Sequence, residues 1–240
     1  MRGIVPGYTR YSSSFSGRYN KRPRGSGIIP TTEMKFHDDK ISPTDGGNSW
    51  VDLGGWASGA TLGSLNLIAV GAGPSQRIGR KITVRNILAN IGFNMAAHQS
   101  DFCRVSIILD KQCNGSEPTA AELFEGTNLF QFSNPTNNKR FQTLYQKTFA
   151  MNFTATGITA SNAVPPVVQA YHNGQTKKVL QVKLKTNITI DYSTAVGTAD
   201  IADVRTNNII LVFQGAESKV QVTGFTRCIV TGKQIGRAHV

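Results

Sequence analysis

From residue 81 onward the alternation of apolar and polar positions reads as strands along most of the chain. Ile82 and Val84 alternate with Lys81, Thr83 and Arg85, and the apolar set then moves to Ile87, Ala89, Ile91, Phe93 and Met95. A period of two marks a strand with one buried face. The change of phase inside this run predicts a bulge, or a strand that bends between sheets. Val105, Ile107 and Leu109 form a second run, ending at the polar Asp110, Lys111 and Gln112. Tyr145, Phe149, Met151 and Phe153 share one parity of a third. The clearest pattern runs from Val179 to Tyr192, with Leu180, Val182, Leu184, Ile188, Ile190 and Tyr192 on one parity. Gln181, Lys183, Lys185, Asn187, Thr189 and Asp191 hold the other, which predicts one long strand or two joined end to end, wet on one face. Ile209 to Phe213 is apolar on both parities, as in a strand covered on both faces. Val220, Val222, Cys228 and Val230 predict one or two last strands, broken around Gly224. A single short helix is expected, capped by Thr119, begun at Ala120, closed by Glu122 in a capping box and ended by Gly126. Strands of uneven length, long loops and almost no helix predict an all-β sandwich or jelly roll.

Charge adds a second region. The 240 residues carry a formal net charge of +12. Half of it lies in residues 1–32, where Arg2, Arg10, Arg18, Lys21, Arg22 and Arg24 precede the first acid, Glu33. This stretch is rich in Gly, Ser, Tyr and Pro and has no apolar period, so it is expected to be a largely disordered basic arm. Such an arm points to an acidic polymer as partner, the alternative being a merely solvating tail. Tyr8 and Tyr11 flank Arg10, and Phe15 and Tyr19 flank Arg18. Cations that attract phosphate, interleaved with rings that stack on unpaired bases, suit sequence-tolerant binding of a single strand. Lys21-Arg22-Pro23-Arg24 is a candidate nuclear import signal, which makes the host import machinery a candidate partner.

The chain lacks the constellations of an enzyme. Gly71-Ala72-Gly73 is followed by Pro74 and a strand instead of the helix N-terminus that a phosphate loop needs. There is no Gly-x-Ser-x-Gly elbow, no Cys-x-x-Cys and no His-Glu-x-x-His. His37, His98, His172 and His239 have no metal-ligand spacing, and His37-Asp38-Asp39 reads as a solvated turn before it reads as part of a calcium site. No catalysis, cofactor or metal is expected. Cys103, Cys113 and Cys228 cannot all pair within one chain. The longest aliphatic and aromatic run, Ile209 to Phe213, is far short of a bilayer span, so no membrane insertion is expected. No apolar h-region follows Arg2, so no secretory signal is expected either. The sequons at Asn114, Asn152 and Asn187 are therefore not expected to be glycosylated.

Two stretches are more specific. Leu65-Asn66-Leu67-Ile68 is followed by Gly71 and by Gln76-Arg77-Ile78-Gly79-Arg80-Lys81-Ile82-Thr83-Val84, and the second is Val105-Ser106-Ile107-Ile108-Leu109-Asp110-Lys111-Gln112-Cys113-Asn114-Gly115. With Asn137-Asn138-Lys139-Arg140-Phe141 and the basic arm, they resemble capsid proteins of circular single-stranded DNA viruses that encode a replication initiator, the circovirus-like group. The resemblance spans roughly residues 33–231. It implies a single eight-stranded viral jelly roll over residues 33–231, sixty copies of which close a small T=1 icosahedral shell. It also implies an inward-facing arm on single-stranded DNA, and a protein found in the virion and, during assembly, in the host nucleus. The arm is less Arg-dense than in many of these proteins. Residues 235–240 look like a translated sequencing adapter, so residues 232–240 are read as a tail without native function, the alternative being an ordinary disordered tail.

Sixty such arms bring on the order of 360 charges, against about one per nucleotide, so the arms offset only part of a genome of a few thousand bases. Basic residues of the shell domain supply more. Lys183 and Lys185, on the polar parity, are candidates for DNA contact, together with Arg77, Arg80, Lys81 and Arg85; for each the alternative is surface solubility. Loops from Asp45 to Ala60, Asn114 to Asn134 and Ser193 to Asp203 are candidates for the outer surface and for contacts between copies. Trp50 and Trp56 lie in the first and either plug their own domain or anchor a partner. Two other classes compete with the shell protein: a non-capsid nucleic-acid-binding β-sandwich (a movement or silencing factor), and a carbohydrate-binding jelly roll.

Overall fold

The computed structural model describes residues 34–41, 51–52, 61–95, 101–126, 129–152, 155–159, 168–172, 177–193, 200–216 and 220–232. The chain divides into residues 1–31 and 32–240, and all described residues belong to the second unit. The cations and rings predicted to bind DNA between Arg2 and Arg24, the pair Trp50 and Trp56, Phe153 and residues 233–240 lie outside the described residues.

Among the described residues twelve strands follow in order: β1 (Met34–Lys40), β2 (Val51–Asp52), β3 (Thr61–Ser64), β4 (Lys81–Met95), β5 (Asp101–Asp110), β6 (Phe141–Met151), β7 (Ala155–Thr159), β8 (Val168–His172), β9 (Lys177–Tyr192), β10 (Val204–Thr206), β11 (Asn208–Gly215) and β12 (Val220–Gly232). One sheet has the order β1-β12-β4-β9-β10, with β2 beside β12, and a second has the order β3-β11-β5-β6. The pairs β1·β12, β3·β11, β4·β9 and β5·β6 are all antiparallel. These eight strands are thus one long hairpin with its tip at β5–β6, rolled so that successive pairs fall alternately in the two sheets. That order is an eight-stranded jelly roll, as the resemblance in the sequence implied. Strands β7 and β8 form a separate hairpin inserted between β6 and β9.

The phase change in β4 is a bulge. Val84 faces Val230 and Asn86 faces Ile229, so Arg85 is the extra residue opposite β12. Opposite β9 the register also slips between Val84 and Asn86, and Thr186 Oγ1 donates to the freed Val84 carbonyl at 2.8 Å. The slip keeps Ile82 and Val84, and then Ile87 to Met95, facing the core on both sides of it. Strand β9 runs unbroken with Leu180, Val182, Ile190 and Tyr192 buried. Between the sheets Phe93 packs edge-on against Phe149 and Phe213, with centroids 4.9 and 6.3 Å away. Burying each such ring contributes about 1.5–3 kcal/mol.

Strand β11 is buried on both faces because a second, smaller cluster covers the outside of its sheet: Leu123 and Phe124 sit on Ile108, Ile210 and Val212. Those two residues come from the turn of α1 (Ala120–Leu123), where the Thr119 N–H donates to Glu122 Oε2 at 2.7 Å as a capping box requires. The helix ends at Leu123 and not at Gly126, since the backbone turns extended at Phe124 (φ −127°, ψ 155°).

Two other expectations are corrected. β12 is not broken at Gly224. The strand passes through it at φ +155°, and a Cβ there would lie 2.3 Å from the Asn90 carbonyl oxygen, so glycine permits a close approach of two backbones. His37-Asp38-Asp39 is strand and not turn, because all three pair in register with β12.

Candidate nucleic-acid interface

The register of β1, β12, β4 and β9 sets out three rungs across the first sheet: Phe36–Ile229–Asn86–Lys185, Asp38–Arg227–Leu88–Lys183 and Lys40–Phe225–Asn90–Gln181. They share the parity opposite to the core residues, so this is the sheet's outward face. Lys183 and Lys185 are exposed there, and among the described residues neither pairs with an acid. Arg85, thrown outward by the bulge, donates to Asn187 Oδ1 and to Thr231 Oγ1, which holds its guanidinium beside the same lysines. Lys81 pairs with Asp191 at 3.6 Å, and Arg80 donates to the Tyr192 carbonyl at 3.1 Å.

The β12 side of the face was not read from the sequence. Arg227 donates through Nε and Nη2 to the two oxygens of Asp38, at 2.6 and 2.5 Å, which holds that carboxyl below the usual carboxylate range. The same guanidinium lies 5.5 Å from the centre of the Phe36 ring. Phe36 is 45% exposed and Phe225 50% exposed. The signal was the complement of the core set: once Val220, Val222, Cys228 and Val230 are inward, Phe225 and Arg227 must be outward.

One predicted contact is overturned. Arg77 is 1% exposed and cannot reach a phosphate. Its Nε donates to the Ile68 carbonyl at 2.9 Å and its Nη1 to that of Gly79, while the guanidinium stacks 3.9 Å from the centre of the Tyr192 ring. The Tyr192 hydroxyl in turn donates to the Asn66 carbonyl at 2.6 Å, and burial pushes its pKa upward. Asn66 Oδ1 accepts from the Ile209 N–H. The stretch from Leu65 to Ile68 and the arginine of Arg-Ile-Gly-Arg-Lys are therefore two halves of one structural clamp.

The other two motifs also meet. Arg140 grips Asp110 with two bonds of 2.9 Å and reaches Glu122 at 3.3 Å. This pins the loop after β5, helix α1 and the start of β6 to one another.

No thiol here is activated. Burial pushes Cys103 to about 12, Cys113 to about 11 and Cys228 to about 12, so all three stay protonated and weakly nucleophilic near neutral pH. Burial also holds His37 below its ordinary pKa, against the pull of Asp39 and Asp38. Among the described residues no three His, Cys, Asp or Glu side chains are placed to hold a metal ion.

No family model matches the chain, and no curated protein matches it. Among solved structures it is similar to the 60-mer BFDV capsid protein, at 9% identity and a TM-score of 0.27, over 86% of this chain and 94% of that chain. It is also similar to a chain of the T13 IBDV viral particle, at 8% identity and a TM-score of 0.20, over 87% of this chain and 42% of that chain.

Proposed function

We propose that this chain is a structural capsid protein that self-assembles into a small closed shell, of sixty copies on the motif resemblance, and packages circular single-stranded DNA. The observation that carries this reading is the pairing of a jelly roll, whose sheets offer a rigid building block, with one basic sheet face built from Arg85, Lys183 and Lys185. The leader adds six cations and no acid. Lys81 and Arg80, at the entrance to β4, extend the same charge. Residues 1–32 serve as the arm, residues 33–231 as the shell domain and residues 232–240 as a tail outside the function. The binding is sequence-tolerant, because the cations address phosphates and not base edges.

The arm is tested by deletion. A chain lacking residues 1–27 folds as before but protects less DNA from nuclease than the full chain; equal protection would remove the arm from the packaging mechanism. The basic run Lys21-Arg22-Pro23-Arg24 directs nuclear import in this reading. Alanine at Lys21, Arg22 and Arg24 leaves a fluorescent fusion in the cytoplasm, and undiminished nuclear signal would contradict the assignment.

A further inference from the structure

The outward face of the first sheet carries more than charge. Around Phe225 lies a depression lined by Asp38, Leu88, Asn90, Phe225, Thr226 and Arg227. We infer that this depression and the neighbouring Phe36 ring form a stacking platform for unpaired bases, so that the folded domain itself selects single-stranded over double-stranded DNA. The inference rests on the proposed packaging role and adds to it where the bases go.

Two observations favour bases over phosphates in the depression. Its one acid, Asp38, would repel a phosphate, and its one cation, Arg227, is already committed to Asp38 by two hydrogen bonds. Its floor and wall are apolar, from Leu88 and the half-exposed Phe225, and Asn90 adds an amide that both donates and accepts at its rim. Of the face's cations without an acid partner among the described residues, Lys183 and Lys185 are on β9, two strands from Phe225 on β12, which is about 10 Å at the usual strand spacing, and Lys40 faces Phe225 from β1. A nucleotide lying across the sheet sets its base on β12, with phosphates toward the lysines of β9 on one side and toward Lys40 of β1 on the other.

The second ring repeats the arrangement. Phe36 faces Ile229, four residues along β12 from Phe225, so the two rings are about 14 Å apart along the sheet and one strand offset. Arg227 lies between them, its guanidinium 5.5 Å from the centre of the Phe36 ring. Rings on an open sheet accept any base because every base has a π-face, whereas the paired bases of a duplex keep theirs covered. A protein partner would be a different occupant, but the Asp38–Arg227 pair and Asn90 leave the patch too polar for an apolar seam, and the cations around it on the same face, Arg85, Lys183 and Lys185, complement a polyanion.

The test uses the full-length chain and three fluorescent probes: an oligothymidylate, an abasic sugar-phosphate oligomer of the same length, and a duplex. The unaltered chain binds oligothymidylate most tightly. Phe225→Ala together with Phe36→Ala weakens that binding about tenfold or more, from the stacking lost per base. Binding of the abasic oligomer stays within about twofold. Phe225→Tyr with Phe36→Tyr keeps the affinity, which separates a lost ring from a lost fold. Equal losses for oligothymidylate and the abasic oligomer, or none for either, would overturn the platform while leaving packaging by the cations intact. Failure of the unaltered chain to bind any probe would overturn both readings. A double alanine variant that binds every probe normally but no longer self-associates would make the face a contact between copies, and the platform would be wrong.

Discussion

Replacing Arg140 with alanine lowers the unfolding free energy of the jelly-roll domain by about 3–5 kcal/mol, the usual cost of leaving one half of a buried pair uncompensated. The partner left behind is the reason. Asp110 is 1% exposed and takes two hydrogen bonds from the Arg140 guanidinium, so without Arg140 its carboxylate stays dehydrated and unpaired. Its remaining contact with the Gln112 N–H at 3.0 Å does not replace a cation. Glu122 loses its partner as well, which loosens α1 and exposes Leu123 and Phe124 above β11. Urea denaturation followed by far-ultraviolet circular dichroism measures the loss. Exchanging both partners for apolar residues of similar size, Asp110→Leu with Arg140→Met, recovers most of the stability, because no buried charge is then orphaned. A single-variant loss below about 1 kcal/mol would place this pair with ordinary surface ion pairs and remove it from the framework.

Arg77→Ala has a comparable effect, about 3 kcal/mol or more, through a different route. It strips donors from the Ile68 and Gly79 carbonyls, each worth about 1–3 kcal/mol when buried and unmet. It also removes the cation from the face of Tyr192. Arg77→Lys rescues little, since one ammonium cannot serve two carbonyls and a ring in the geometry of a planar fork. The same variants decide between the two roles considered for this residue. A phosphate ligand, once replaced, weakens DNA binding at unchanged stability; the clamp seen here loses stability, and at temperatures where the variant remains folded its DNA affinity is unchanged.

Much of this architecture is legible in the sequence, for a definite reason. A strand with one wet face writes its burial directly into a period of two, so the inward sets of β4 and β9 were legible, whereas the choice of a bulge over a bend, its place at Arg85 and the continuity of β9 came from the register. The two-sided burial of β11 was legible too, because Ile210 and Val212 would otherwise be apolar side chains in water. What covers them was not, since Leu123 and Phe124 come from a stretch about ninety residues earlier in the sequence. Strand pairing has the same character: β1 meets β12 across nearly the whole domain, and no local pattern records it.

The misreading of Arg77 is of this kind. Beside Arg80 and Lys81 it looks like one more phosphate ligand; only Tyr192, 115 positions away, makes it an interior residue. Gly224 misled in the other direction. A glycine in a strand run usually signals interruption, but here the absent side chain admits the Asn90 carbonyl and the pairing continues. Within the interface, the lysines of β9 stood out because a polar parity that repeats lysine is conspicuous. Phe36, Phe225 and Arg227 did not, because an exposed phenylalanine counts as core until the register shows which way it faces.

In the proposed role this jelly roll closes on copies of itself around a single strand. Sedimentation of the purified full-length chain mixed with circular single-stranded DNA, followed by electron microscopy of the fast fraction, tests it most directly. Regular closed particles about 20 nm across that carry nuclease-resistant DNA are the expected result. A species that stays monomeric across salt and pH with the DNA present, even one that binds it, would contradict the shell and leave a free nucleic-acid-binding β-sandwich in its place.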